Sequence, residues 1–481
     1  METTKPTSPY ASLLRGLPAV HRLLAAPTLK EAAILLPASL ITQTAQEVLD
    51  EVRSSILNTL ENPPPYVPSE SELIQRVSER LHRLQQPSLR GAINATGVVL
   101  HTGLGRARLS EEACAAIAEV AKAHSLVEID TASGQRGSRQ DHIQSLLREL
   151  TGAEETLVLN NCAGAVFLAV SALAAGHEVV ISRGELVEIG GAFRIPDIIR
   201  ASGATLVEVG TTNRTRLSDY ADALTERTAL ILRCHPSNFA IVGFTEEVPS
   251  PELAALAHKN SLLFMEDQGN GTLFPMETWG LSGMKGSLVE SVSAGCDVVM
   301  ASGDKLLGAT QAGILLGKSE PIGKIAKHPL ARALRVDKLT LAGLEATLRL
   351  YRNPETARTA VPTLRYLTRQ EPEIRRLAQL LARGIRRTLN DKAQFEVELV
   401  KESSQVGGGS LPNESLPTVC VRVQCFTANP TVMELAKALR QSTPPIFARI
   451  RNDALLFDPR TLEPAEIPLI VSAFQKIGTE L

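Results

Sequence analysis

Residues Cys296 to Gly308 read CDVVMASGDKLLG, a short apolar run that closes in Ser302, Gly303 and Asp304 before Lys305, two leucines and a glycine. A lysine that forms an imine with a carbonyl cofactor needs this setting. It must be held by a rigid strand end, near a hydroxyl and backbone N–H groups that grip a phosphate, with small neighbours so that a flat ring can approach. Pyridoxal phosphate has the matching parts. A serine three residues before a lysine also describes many surface turns, and a second acid separates this one from them. Asp267, in LLFMEDQGNG, closes another apolar run. A pyridinium nitrogen needs such a carboxylate to stay protonated, so that the ring acts as an electron sink.

Those two runs belong to a series, TLVLNN, HEVVISRG, TLVEVGTTN, ALILRCHPSN, LLFMEDQGNG and CDVVMASGDK, alternating with Ala/Leu-rich helical stretches. The rhythm predicts an α/β fold with a mainly parallel sheet and ligand-binding residues at the carboxyl ends of the strands. Four sections follow. Residues 1–62 are helical, with LPAVHRLLA and LITQTAQEVLDEVRSSILNTL at helical period. Residues 63–90 are a linker and helix, entered through NPPPYVP (Asn62 to Pro68), which no helix crosses. Residues 91–338 form the cofactor-binding catalytic domain, and 339–481 a small C-terminal α/β domain. In the last section Ile374, Leu377, Leu381, Ile385 and Leu389 make one apolar stripe. PTVCVRVQC and ALLFDPRTL read as its strands, with GGGS (Gly407 to Ser410) as an interruption.

At 481 residues the chain exceeds the size of a single core. Apolar residues are 44%, charged residues 21% and the formal net charge is −2, the profile of an ordinary soluble globular protein with no polyanion-binding bias. Up to Arg90 nine Lys/Arg stand against nine Asp/Glu, so the helical section is not basic. Between Ala331 and Lys392 the balance is fourteen to six, a run best read as solvated helix faces. The six cysteines show neither a CxxC pair nor metal-ligand spacing and read as reduced, buried thiols. No signal pattern and no membrane-length apolar run appears, so a cytoplasmic protein without a membrane or metal partner is expected.

Other residues gather around the lysine. Cys162, Ala163 and Gly164, in NNCAGAVFLAV, are small residues at a strand-to-helix turn, where helix N–H groups cradle a phosphate together with Ser302. HTGLGRARLS (His101 to Ser110) does not complete a dinucleotide fingerprint, but Arg106 in its glycine loop suits an anion. Arg332 and Arg335, three apart in HPLARALRVDK, would share a helix face and converge on one anion. His235 and Asn238, in RCHPSNF, stand at a strand end where they would touch the ring or its phenolic oxygen. His101, His142 and His177 read as structural or solvated.

LPAVHRLL, INATGVVLHTGLGRA, ISRGELVEIGGAFRIPDI, HPSNFAIVGFTEEV, EDQGNG, SGDKLLGATQAGILLGK, HPLARALRVDKLTLAGLEATLRLY and GGGSLP occur in this order along nearly the whole chain. Together they resemble the bacterial selenocysteine synthases, the L-seryl-tRNA(Sec) selenium transferases among the fold-type-I pyridoxal phosphate enzymes. The resemblance implies Lys305 as the aldimine lysine, Asp304 as an essential neighbour, and Arg106, Arg332 and Arg335 as ligands of the selenium donor, selenophosphate. It also implies an N-terminal helical domain that recognises seryl-tRNA(Sec), and a homodecamer of five dimers. One departure is Cys162, which stands where asparagine or alanine is common. The implied reaction eliminates water from the seryl group, with Asp304 as a candidate proton donor, and adds selenium to the dehydroalanyl intermediate. A pyridoxal-phosphate eliminase or ammonia lyase acting on a small amino acid would share Lys305 and Asp267 but would need no helical N-terminal domain.

Overall fold

In the computed structural model, which describes residues 11–58, 67–189, 193–235, 239–281, 286–389, 395–408, 410–426 and 430–480, the chain divides into two units, Met1–Gly91 and Ala92–Leu481. The first holds α1 (Ala11–Arg15), α2 (Val20–Leu24), α3 (Pro27–Ala32), α4 (Ala38–Asn58) and α5 (Glu70–Gln85). Ser69 and Glu72 close a reciprocal capping box that starts α5 after the proline-rich stretch. Leu73, Val77 and Leu81 form one stripe of that helix and pack with Leu23, Ile41, Leu49 and Ile56. The helix of the proline-rich section thus shares a core with the helices before it.

The second unit begins with β1 (Ile93–Ala95), β2 (Val98–Leu100), α6 (Glu111–Lys122), α7 (Asp141–Thr151), β3 (Glu155–Leu159), α8 (Cys162–Ala174) and β4 (Glu178–Ser182). A two-stranded ribbon, β5 (Glu188–Ile189) and β6 (Phe193–Arg194), precedes β7 (Thr205–Val209), β8 (Thr228–Cys234), β9 (Leu263–Gly269), β10 (Val298–Ser302) and β11 (Gly313–Gly317). The seven-stranded sheet has the order β3-β11-β10-β9-β8-β4-β7. Each of the six runs singled out in the sequence forms one of its strands. β10, β9, β8, β4 and β7 pair in parallel, whereas β11 runs antiparallel to both β10 and β3. Every residue of β10 and β11 is buried, as expected of strands covered on both faces.

The chain then forms β12 (Phe395–Gly407), β13 (Ser410–Cys425), β14 (Ile446–Arg451) and β15 (Ala454–Phe457). These make a six-stranded sheet in which β1 pairs with β14 and β2 with β12. The strands just after Gly91 therefore complete the C-terminal sheet, and β2 hands the loop that follows it, His101 to Ser110, across to the large sheet. Within the GGGS stretch Gly407 stands opposite Ser410, at the end of the long β12–β13 pairing, and Gly409 lies outside the described residues. Ile374, Leu377, Leu381 and Ile385 of the helix Glu371–Thr388 are buried with Leu389 in the core of this sheet, so the expected stripe is its packing face. One cysteine departs from expectation: Cys114 is exposed, because it lies on the solvent side of α6.

Candidate active site

β10 delivers Ser302, Gly303, Asp304 and Lys305 at its carboxyl end, and Lys305 is only 4% exposed. The neighbouring β9 delivers Asp267, 7% exposed. Between these strands the register slips: Met300 faces Asp267 but Ala301 faces Gly269, which leaves Gln268 as a bulge. Bulges beside sites re-aim side chains, and this one lies next to the acid. The loop after β9 comes close to the lysine loop at Gly271, whose positive φ of 78° and position leave no room for a side chain; a Cβ there would sit 2.2 Å from the carbonyl of Ser302. Burial pushes the Asp267 carboxyl up to about 6, while Lys305 above all, then the Cys162 thiol and the Gly269 N–H, oppose that rise.

The opposite wall is the start of α8. Asn161 caps the helix, its side chain accepting from the Gly164 N–H at 2.8 Å. Gly164 is thus already committed, and Cys162 and Ala163 keep first-turn N–H groups without an intrahelical acceptor. The cap is supported from below by Gly313, where a Cβ would meet the Asn161 carbonyl at 2.2 Å. A cavity of about 400 Å³ opens between the walls, lined by Arg106, Cys162, Ala163, Asp267, Ser302 and Lys305 among others. The Cys162 side chain turns toward the acid: its thiol donates to Asp267 Oδ1 at 3.7 Å. Burial and the Asp267 charge hold that thiol far above its ordinary range, so it stays protonated.

His235 follows β8, and its N–H donates to the Asp267 carbonyl at 3.0 Å. Its Nδ1 is buried without a partner among the described residues, and burial, then Arg233, lower its pKa, which leaves the ring neutral. Asn238 lies outside the described residues. A buried lysine and a buried acid on one polar cavity, with open helix N–H groups on the far wall, form the donor set that a phosphorylated pyridine aldehyde requires.

The arginines divide. Arg106 reaches the cavity from a left-handed backbone, φ 60°, just after Gly105 at φ 91°. Its Nη1 donates to Asp304 Oδ2 at 2.8 Å, and the next N–H, of Ala107, meets the Asp304 carbonyl at 3.3 Å. Arg332 and Arg335 do not share a helix face. The helix Pro329–Ala333 ends between them, because Leu334 accepts from the Asn160 N–H through its carbonyl at 2.8 Å and Arg335 bridges Leu159. Both are exposed, neither lines the cavity, and neither guanidinium has a hydrogen-bond or ion-pair partner among the described residues.

Three supports escaped the sequence reading. Arg139 ties this segment in place by donating to the Val336 carbonyl at 2.7 Å while its other nitrogens grip Glu128. Gln268 fixes the bulge through the Gly286 carbonyl and the Gly271 N–H. Asn161 had a readable signal, an N-cap residue before a run of small helix formers; the other two are set by distant partners and had none.

A family described as L-seryl-tRNA selenium transferase matches residues 92–463, and one described as the selenocysteine synthase N terminus matches residues 14–53. The L-seryl-tRNA(Sec) selenium transferase of Moorella thermoacetica is 46% identical over 455 residues, 95% of each chain. That of Aquifex aeolicus is 42% identical over 466 residues, 97% of this chain and 99% of the relative. Among solved structures, D-glucosaminate-6-phosphate ammonia-lyase superposes with a TM-score of 0.57 over 83% of this chain and 98% of that one. At 22% identity that likeness shows the fold alone, the fold-type-I architecture.

Proposed function

The chain belongs to the L-seryl-tRNA(Sec) selenium transferase family and is a pyridoxal-phosphate-dependent transferase, and from that premise we propose that it converts seryl-tRNA(Sec) to selenocysteinyl-tRNA(Sec) with selenophosphate as selenium donor. The observation that carries the reading is that the family match, residues 92–463, encloses every element of the cavity around Lys305 and Asp267. Bound there, pyridoxal phosphate would supply a sink for the electrons left on Cα when its proton is removed.

The chain's own groups have the remaining tasks. Lys305 would hold the cofactor through its side-chain amine, and that amine, when free, is placed to take the Cα proton of the seryl group. Asp267 would partner the ring nitrogen. The N–H groups of Cys162 and Ala163, with Ser302, hold the phosphate. The β-hydroxyl would leave as water with the proton that Lys305 took from Cα; selenophosphate would then add selenium at Cβ and a proton at Cα, and water would cleave the P–Se bond to release phosphate. Arg106, Arg332 and Arg335 hold the phosphate part of the donor, and Asp304, as the ion-pair partner of Arg106, orients that guanidinium. His235 and Asn238 belong on the ring side. The N-terminal helices read the tRNA by shape and hydrogen bonding rather than by bulk charge. A decamer of five dimers would bring neighbouring subunits to the exposed arginines, and the reaction belongs in the cytoplasm; no helix among the described residues is long and apolar enough to cross a membrane.

The test is direct. Purified protein should be yellow and should convert seryl-tRNA(Sec) with selenophosphate into selenocysteinyl-tRNA(Sec). A colourless protein that turns over only a small free amino acid would overturn the reading.

A further inference from the structure

The cysteine at the start of α8 sits in the cavity with its thiol on the acid, not among the phosphate donors. We propose that Cys162 is a positioning residue for the cofactor ring: by donating to Oδ1 of Asp267, its thiol orients the carboxylate that meets the ring nitrogen. The proposal rests on the pyridoxal phosphate reading of the cavity.

Three observations carry it. The first is the contact itself, Sγ to Oδ1 at 3.7 Å, a distance proper to a sulfur donor. The second is the company the acid keeps. Asp267 faces Lys305 from the lysine loop, Cys162 from the helix, Cys234 from the adjacent strand and Glu266 on its own strand. Of these only Lys305 carries a positive charge. Glu266 is a like charge, and Cys234, its thiol driven well above its ordinary range by burial, supplies no charge of its own. The Cys162 S–H and the Gly269 N–H are the neutral donors that favour the ionised carboxylate. The third is that the thiol is locked in its donating form by burial and by the acid it serves. It cannot become a competing anion near neutral pH. A carboxylate accepts at about four positions, so the thiol takes one and leaves capacity for a ring N–H.

The sign follows. Loss of the thiol donor would let the Asp267 carboxyl rise further from a value already near 6. The ring nitrogen would then lose its anionic partner at a higher pH than in the parent. A serine, a stronger donor of similar size, should replace the thiol; an alanine cannot.

Holoenzyme of the parent, Cys162→Ser and Cys162→Ala would be titrated in the visible range, with cofactor dissociation constants measured by equilibrium dialysis. For Cys162→Ala the acid limb of cofactor retention should move to higher pH and the dissociation constant should rise by up to about tenfold, the worth of a weak donor to a charged acceptor. Cys162→Ser should return both toward the parent. An alanine variant that titrates like the parent would overturn the proposal, as would serine and alanine variants that shift together, which is the signature of lost volume.

A second readout needs no cofactor. In the cofactor-free protein the infrared S–H stretch of Cys162, isolated by subtracting Cys162→Ser, should move to higher frequency in Asp267→Ala. An unmoved band would overturn the thiol contact while leaving the cofactor reading intact. A parent protein that binds no pyridoxal phosphate would overturn the cofactor reading, and the proposal with it.

Discussion

The two halves of the candidate site are built in opposite ways. On the cofactor side Lys305, Asp267, Cys162 and Ser302 come from two neighbouring strands and the helix α8, and their polar atoms already engage one another or the cavity. On the anion side Arg106 is clasped by Asp304, while Arg332 and Arg335 stand in solvent on a short segment outside the cavity. Buried ionisable groups must be satisfied within the fold, so their geometry is complete before any ligand arrives. Exposed guanidinium groups carry no such obligation and are free to wait for an anion or a neighbouring subunit. In the proposed reaction the interior half would set whether chemistry occurs, and the exposed half what is delivered to it.

The largest effect should come from the centre of the interior half. Lys305→Ala should remove the borohydride-reducible absorbance and lower selenium transfer by about 10⁴-fold or more. A reducible chromophore on another lysine in that variant would dissolve the distinction between the halves. Next, Asp267→Asn should keep part of its cofactor but slow exchange of the Cα proton by orders of magnitude. Exchange at the parent rate would make Asp267 a structural acid.

The exposed half should respond differently. Arg332→Ala and Arg335→Ala should leave the visible spectrum and the loss of water unchanged, and weaken use of selenophosphate by about tenfold each, as expected for one charge-assisted contact. Single-turnover assays separate the steps. Failure already at water loss would join the halves into one functional unit.

The smallest effect tests how dry the interior is. Glu185 is buried, and burial pushes its carboxyl up to about 8 although Arg233 lies 4.0 Å away. An acid whose value is raised by folding contributes stability below its unfolded value and loses that contribution as pH rises through the folded one. Glu185→Gln, which never ionises, should therefore gain in Tm relative to the parent between pH 6 and pH 9. A constant difference across that range would mean that water reaches the carboxylate.

The interior half was also the readable half. Each strand of the large sheet that ends near the cavity is a short apolar run closed by small or polar residues, and a strand covered on both faces has little choice but to look like that. Lys305 and Asp267 followed from position at two such ends. The antiparallel β11 was hidden inside the stretch after the lysine, since a buried apolar run looks the same in either direction. The departure of β1 and β2 to the C-terminal sheet depends on partners more than 300 residues away in the chain, beyond the reach of any local pattern. The arginine pair misled for the converse reason. Spacing of three suits a helix, but the helix stops at Ala333, where backbone groups of Leu334 and Arg335 turn to Asn160 and Leu159. The bulge at Gln268 and the brace of Arg139 on Val336 are tertiary events with no signature in the residues that make them.

Gly313 stands opposite Ser302 on one side and opposite Leu159 on the other. β11 is the last strand of its sheet in sequence, and among the described residues it is the strand that links β3 to the others. A nascent chain that has not yet extended past Gly317 holds the lysine, the acid and the helix turn, but lacks the strand whose hydrogen bonds tie β3, just before that turn, to β10. The register between the wall that carries the turn and the wall that carries the lysine is thus set by a strand that follows both of its neighbours in the chain.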